Sequence, residues 1–179
     1  MKQIVAALCL IMLPCLSMAE IYAEFGFEGG GETLGSTSDE DLNTAGGFKF
    51  AIGVQRYIGG FEDVGLLFSV GYLFDEIDAS NGTAETDATV FEFIYFRIFG
   101  PHRIGTGGSY HLNPQYEEDL DGFARTKIKF DDSLGLLVRY SYTITEGLQA
   151  GVPYTIMDYE TNGESLDADS FGLFISSSF

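Results

Sequence analysis

The sequence predicts an all-β chain: an eight-stranded antiparallel up-and-down barrel that crosses a membrane. Three observations lead there. Apolar side chains recur at every second position along eight separate stretches, the spacing of strands whose successive side chains point to opposite faces. The links between those stretches alternate short and long. Residues 20–179 contain no run of 18 apolar residues, so a membrane crossing must use strands and not a helix.

The chain opens with an export address. Lys2 is followed by an apolar run from Ile4 to Leu13 and by the small-residue site Ser17-Met18-Ala19, the layout of a signal peptide cut after Ala19. A lipoprotein needs a small residue before its modified cysteine, whereas Leu8 and Pro14 precede Cys9 and Cys15. Both cysteines lie in the removed segment, and an exported chain without cysteine points to a bacterial envelope more than to a disulfide-stapled secreted domain. Residues 20–179 form one domain by length. They carry 8 basic and 27 acidic residues, a net charge of −19, which argues against nucleic acid as a partner.

The strands follow in order. "IYAEFGFEG" sets Ile21, Ala23, Phe25 and Phe27 against Tyr22, Glu24, Gly26 and Glu28. "FKFAIGVQRY" sets Phe48, Phe50, Ile52 and Val54 against Lys49, Ala51, Gly53 and Gln55. "VGLLFSVGYLF" alternates in the same way, with Phe68 and Tyr72 on one face and Ser69 and Gly71 on the other. The fourth strand, "ATVFEFIYFRIF", places Glu92 and Arg97 on opposite faces; a β-bulge would reconcile them, or Arg97 reaches an interface with its long stem. "HRIGTGGSYHL", "SLGLLVRYSYT", "GLQAGVPYTIMDY" and "SFGLFISSSF" complete the eight. The long links, residues 31–45, 75–87, 113–132 and 158–169, hold 20 of the 27 acids and only Arg125, Lys127 and Lys129 as bases. One rim is therefore acidic and the other is not.

A soluble barrel and a membrane barrel share this alternation and differ in which face looks out. The second face decides. It is small and sparsely charged: Gly26, Gly53, Gly71, Gly107, Gly151 and Ser69 are typical. That is a poor exterior for a soluble protein but suits the narrow interior of eight strands, which side chains just fill. Three acids, Glu24, Glu28 and Glu92, and three bases, Lys49, Arg103 and Arg139, share the inward parity. Buried charge without a partner is costly, so these six are expected to form a lumenal ion-pair cluster that plugs the bore. Tyr57, Tyr72, Tyr140, Tyr142 and Tyr154 are expected in aromatic girdles on the outer face.

Phe171, Leu173, Ile175 and Phe179 share the outward parity of the last strand. This ending resembles the C-terminal signature of bacterial outer-membrane barrels, with Ser177 standing where an apolar residue is usual. The whole pattern resembles the small eight-stranded group that includes the outer-membrane protein A barrel and outer-membrane protein X. The resemblance implies location in the bacterial outer membrane, contact with membrane lipid and lipopolysaccharide, and reading of those four residues by the barrel-assembly machinery.

Candidate chemistry is sparse. Ser109 and His111 share one face near the long-link end, with Glu92 on the neighbouring strand, the ingredients of a serine hydrolase. In barrels that deacylate lipid A, however, His precedes Ser and the site faces lipid; here the order is reversed and the parity inward. The acidic runs "SDED", "DEID" and "EEDLD" offer oxygens to divalent cations but lack calcium-loop spacing. "GETLGSTS", "GTGGS" and "TNGES" lack a phosphate-loop signature, so no nucleotide or other cofactor is expected. The expected function is a non-enzymatic barrel serving envelope integrity or surface interaction through its acidic loops. The alternatives are a narrow cation-preferring porin-like channel and a lipid A acyl hydrolase.

Overall fold

The computed structural model describes residues 19–36, 41–58, 61–79, 82–120, 122 and 124–179. The predicted signal peptide thus lies outside the described residues but for Ala19. The described chain is strands and turns throughout. Its strands are β1 (Glu20–Gly29), β2 (Thr33–Ser36), β3 (Asp41–Asn43), β4 (Gly47–Tyr57), β5 (Val64–Ala79), β6 (Gly82–Phe99), β7 (His102–Leu120), β8 (Thr126–Lys129), β9 (Ser133–Thr145), β10 (Leu148–Ile156), β11 (Asp158–Thr161), β12 (Glu164–Asp167) and β13 (Ser170–Ser178).

Eight of these close a ring. The order is β1-β4-β5-β6-β7-β9-β10-β13 and back to β1, antiparallel at every step. Closure leaves no unpaired edge in the wall, as a lipid surrounding demands. The seam lies between β1 and β13, where Phe25 faces Ile175 and Phe27 faces Leu173. It is fastened at its lower end by Phe179, whose N–H donates to Ile21 O at 2.9 Å and whose carbonyl accepts from Ile21 N at 3.0 Å.

The short links are tight turns. Gly100 (φ 61°) and Gly147 (φ 77°) supply the left-handed backbone that β6–β7 and β9–β10 require. The long links differ from the open loops that the sequence suggested. β5 and β6 run on as a paired hairpin to Ala79↔Gly82, and β7 continues to Leu120 with β8 folded against it. The first and last long links fold into the hairpins β2–β3 and β11–β12. The reason is visible in the burial: Leu42, Ile77, Tyr116, Phe130, Met157 and Tyr159 come from all four hairpins and form one apolar core above the barrel. Backbone bonds lace them together, Glu32 N to Asp167 O at 2.8 Å and Asp131 N to Glu160 O at 2.8 Å. The acidic rim is a folded cap.

The faces are assigned as the parity predicted. Ile21, Phe25, Phe27, Phe50, Ile52, Leu134, Leu136, Leu173 and Ile175 are exposed on the outer wall, while Glu24, Lys49, Glu92 and Arg139 are buried inside. The wall carries polar handles at both ends. Tyr110 and Tyr154 reach up to Asp132 (2.9 Å) and Asp169 (3.4 Å), and Tyr140 meets His102 (2.8 Å) beside the short turns. Tyr57 departs from the expected girdle. It belongs to the inward parity, and its ring packs edge-on against Phe96 at 5.9 Å.

Candidate functional site

The lumen is where the barrel concentrates its charge. Lys49, on β4, sits among three carboxylates: Glu28 at 2.6 Å, Glu92 at 2.8 Å and Glu24 at 3.3 Å. Arg139, on β9, pairs with Glu24, stands 3.8 Å from Glu92 and donates to the Tyr22 hydroxyl at 2.5 Å. Ser69 donates to Glu92 at 3.1 Å and Ser170 to Glu28 at 2.8 Å. These partners come from β1, β4, β5, β6, β9 and β13, so the cluster crosslinks most of the ring. Among the described residues, Glu24 Oε1 and Arg139 Nη1 make charge contacts without a hydrogen bond.

Arg103 stands apart from the six residues that the sequence grouped together. Its guanidinium donates to Gln55 at 2.9 Å and lies over the Phe96 ring at 3.4 Å, and Gln55 in turn donates to Glu20 at 2.6 Å. The cluster proper is therefore three carboxylates and two cations. Sequence reasoning also missed the large inward residues. Leu67, Ile94, Phe96 and Leu137 are all but fully buried and run down to Tyr57 and Ile98 near the short turns. Phe174 is a further inward ring, carrying the Arg139 guanidinium at 3.5 Å. Gly151 leaves room for it: an added Cβ there would run into the Tyr140 carbonyl oxygen and lie 2.6 Å from the nearest Phe174 ring carbon. Inward parity was the available signal for these residues; the weight given to glycine and charge obscured it.

Ser109 and His111 share the inner face of β7, but their surroundings differ from a hydrolase site. His111 Nδ1 meets the Tyr159 hydroxyl at 2.5 Å, beneath the cap. Ser109 is 1% exposed and faces Glu92 and Gly135 across the ladder. Both lie in a packed interior away from the outer wall, so the pair offers no surface to an acyl chain. His102 binds Tyr140 near the Gly100 turn. Phe171, Leu173, Ile175 and Phe179 all point outward, 44–76% exposed.

The cap bears the remaining charge. Glu117 accepts from Lys127 at 3.0 Å and pairs with Arg125. The hydrogen bond from Lys127, with the charges of both bases, holds its carboxyl below the usual carboxylate range. Among the described residues, no group of three or more His, Cys, Asp or Glu side chains converges in a way that could hold a metal. Most of the "SDED" run lies outside the described residues.

No protein-family model and no curated protein matches the sequence. Solved structures do resemble it. Neisserial surface protein A is 15% identical with a TM-score of 0.54, over 89% of this chain and 95% of that one. Ail, the attachment invasion locus protein of Yersinia pestis, is 10% identical with a TM-score of 0.54, over 90% and 97%. It is also known in complex with the heparin analogue sucrose octasulfate. A major outer membrane protein from Thermus thermophilus is 12% identical with a TM-score of 0.54, over 90% and 99%. At these identities the likeness is one of fold, and the chain has the fold of the small eight-stranded outer-membrane barrels.

Proposed function

We propose that this chain is a non-enzymatic integral protein of the bacterial outer membrane, exported by its signal peptide. Its four hairpins lie outside the cell and its short turns in the periplasm. The observation that carries this reading is the inversion of its faces. Lys49 and three glutamates are buried within, whereas phenylalanine, leucine and isoleucine are exposed without. Water would reverse that arrangement; hydrocarbon favours it. Phe171, Leu173, Ile175 and Phe179 serve the assembly machinery in this reading, and the acidic hairpins meet lipopolysaccharide through divalent cations. The test is migration on a gel before and after boiling. A folded barrel in detergent shifts on heating, and a chain that stayed monodisperse in plain buffer would overturn the assignment.

The folded cap is the interacting part. Backbone bonds join its hairpins, so their described residues would need little further ordering on binding a partner. A strong polyanion of the kind bound by Ail suits it poorly, because the cap is dominated by carboxylates. The channel reading is disfavoured by the packed lumen: Phe96, Ile94, Leu67, Lys49 and Arg139 are 0–7% exposed, which leaves no water-wide path along them. Planar-bilayer recordings are expected to show no stable conductance step. Mass spectrometry of lipid A is expected to show no acyl chain lost in the presence of the protein.

A further inference from the structure

The eight basic residues of positions 20–179 divide into three groups. Lys49, Arg103 and Arg139 fill the lumen, and Arg125, Lys127 and Lys129 belong to the β7–β8 hairpin. The two that remain, Arg56 and Arg97, have the outward parity of β4 and β6. Both lie at the short-turn end of the apolar wall.

Arg97 is the residue whose parity conflicted with Glu92. The ladder between β5 and β6 runs unbroken from Val64↔Arg97 through Ser69↔Glu92, so no bulge turns Arg97 inward. Its side chain is 56% exposed, lies over the Phe99 ring at 5.1 Å and keeps its Nε 3.5 Å from Asp63. Arg56 faces Leu66 on β5, and Arg97 faces Val64 on the other side of the same strand. Two strand spacings and a two-residue offset put their Cα atoms about 12 Å apart. Each stem can span about half of that gap, and a guanidinium has five N–H donors, so both can meet a single small anion while keeping donors for the partners they already have. The exposed rings of Phe61 and Phe99 flank the place.

An outward arginine in a barrel wall costs little only where the wall meets the headgroups. Guanidinium is also the side chain that best matches a phosphate, by paired hydrogen bonds as well as charge. We propose that Arg56 and Arg97 clamp the phosphate of one anionic glycerophospholipid in the leaflet on the short-turn side, with Asp63 steadying Arg97 through its Nε. The clamp rests on the reading that the outer wall faces lipid.

Native mass spectrometry of the full barrel in detergent tests it, with phosphatidylglycerol and phosphatidylcholine as probes. The wild type is expected to retain one phosphatidylglycerol at least five-fold more often than phosphatidylcholine. Arg56→Gln with Arg97→Gln should abolish that preference. Arg56→Lys with Arg97→Lys should keep part of it, because charge survives where the fork is lost. Inorganic phosphate should not displace the lipid, since the acyl chains hold it against the wall; displacement by phosphate alone would reduce the site to a simple anion site and overturn the lipid assignment. Equal retention of the two lipids by the wild type, or unchanged preference in the glutamine pair, would also overturn it. Should the glutamine pair not fold, spin-labelled phosphatidylglycerol reads the wild type directly: no motionally restricted fraction beyond that of labelled phosphatidylcholine refutes the clamp. The heat shift on a gel separates the two ideas, because its presence without lipid selectivity removes only the clamp, whereas its absence removes the membrane reading as well.

Discussion

Arg139 shows how much one inward side chain can hold. It joins Glu24, Tyr22 and the Phe174 ring, on two neighbouring strands, to β9. Arg139→Met keeps the bulk and removes the charge, leaving Glu24 buried with Lys49 as its remaining cation. Breaking a buried pair from one side costs about 3–5 kcal/mol, so the unfolding temperature in detergent should fall clearly. Glu24→Gln added to Arg139→Met should restore part of the loss, because the uncompensated charge is then gone. Glu117, in the cap, responds to pH instead. Its bonded carboxyl titrates below the ordinary value, so its contribution is complete above about 4.3 and is lost as pH falls through the lower, folded value. Backbone amide protection in the β7–β8 hairpin, corrected for intrinsic exchange, should hold from neutral pH down to that point and then weaken. Lys127→Gln should move the Glu117 carboxyl titration upward, as followed by carbon-13 shifts.

Among the strands, β13 closes the ring against β1. Its outward side chains are exposed on the wall, and the residue that follows it, Phe179, fastens the seam through backbone atoms alone. Phe179→Ser keeps those backbone bonds, so folding from urea into detergent should proceed nearly as in the wild type. In cells the same change should lower the fraction of heat-shifting barrel, if the ring is read during assembly. Equal yields in cells would show that the ring has no such role. The faces of the wall strands were legible in the sequence because a period of two leaves a side chain only two choices, save that Tyr57 was set on the outer face and β6 was left with a choice between a bulge and an outward Arg97. The upper boundaries were not. Asp75, Glu76 and Asp78 read as a loop by composition, yet β5 runs to Ala79 because Ile77 is drawn into the cap core. Five of the six charged residues that parity grouped together lie in contact within the lumen. Arg103 was misplaced because parity fixes the face of a residue but not its depth along the axis, and depth gave it Gln55 and Phe96 as partners.

The barrel, its plug and its cap act as one body with two apolar cores on either side of a charged layer. On the short-turn side of Glu92 lie Leu67, Ile94 and Phe96; above the ion pairs lie Leu42, Ile77, Tyr116 and Tyr159. Each core keeps water from the charges, which strengthens their mutual attraction and raises the cost of separating them. Such a body confines its variable chemistry to the two rims: carboxylates and hairpins on one, arginines and aromatic rings on the other. Everything then depends on hydrocarbon lying outside the wall between those rims. A nitroxide at Phe68, halfway down the outer face of β5, and another at Glu85, on the exposed side of the β5–β6 hairpin, measure this directly. The two sites belong to paired strands, so fold alone does not separate them. In lipid vesicles the Phe68 label should relax faster with dissolved oxygen than with a water-soluble nickel chelate, and the Glu85 label should show the reverse. Nickel sensitivity at Phe68 equal to that at Glu85 would mean that water bathes the apolar wall, and the barrel would then have to be a soluble one held together against its own surface.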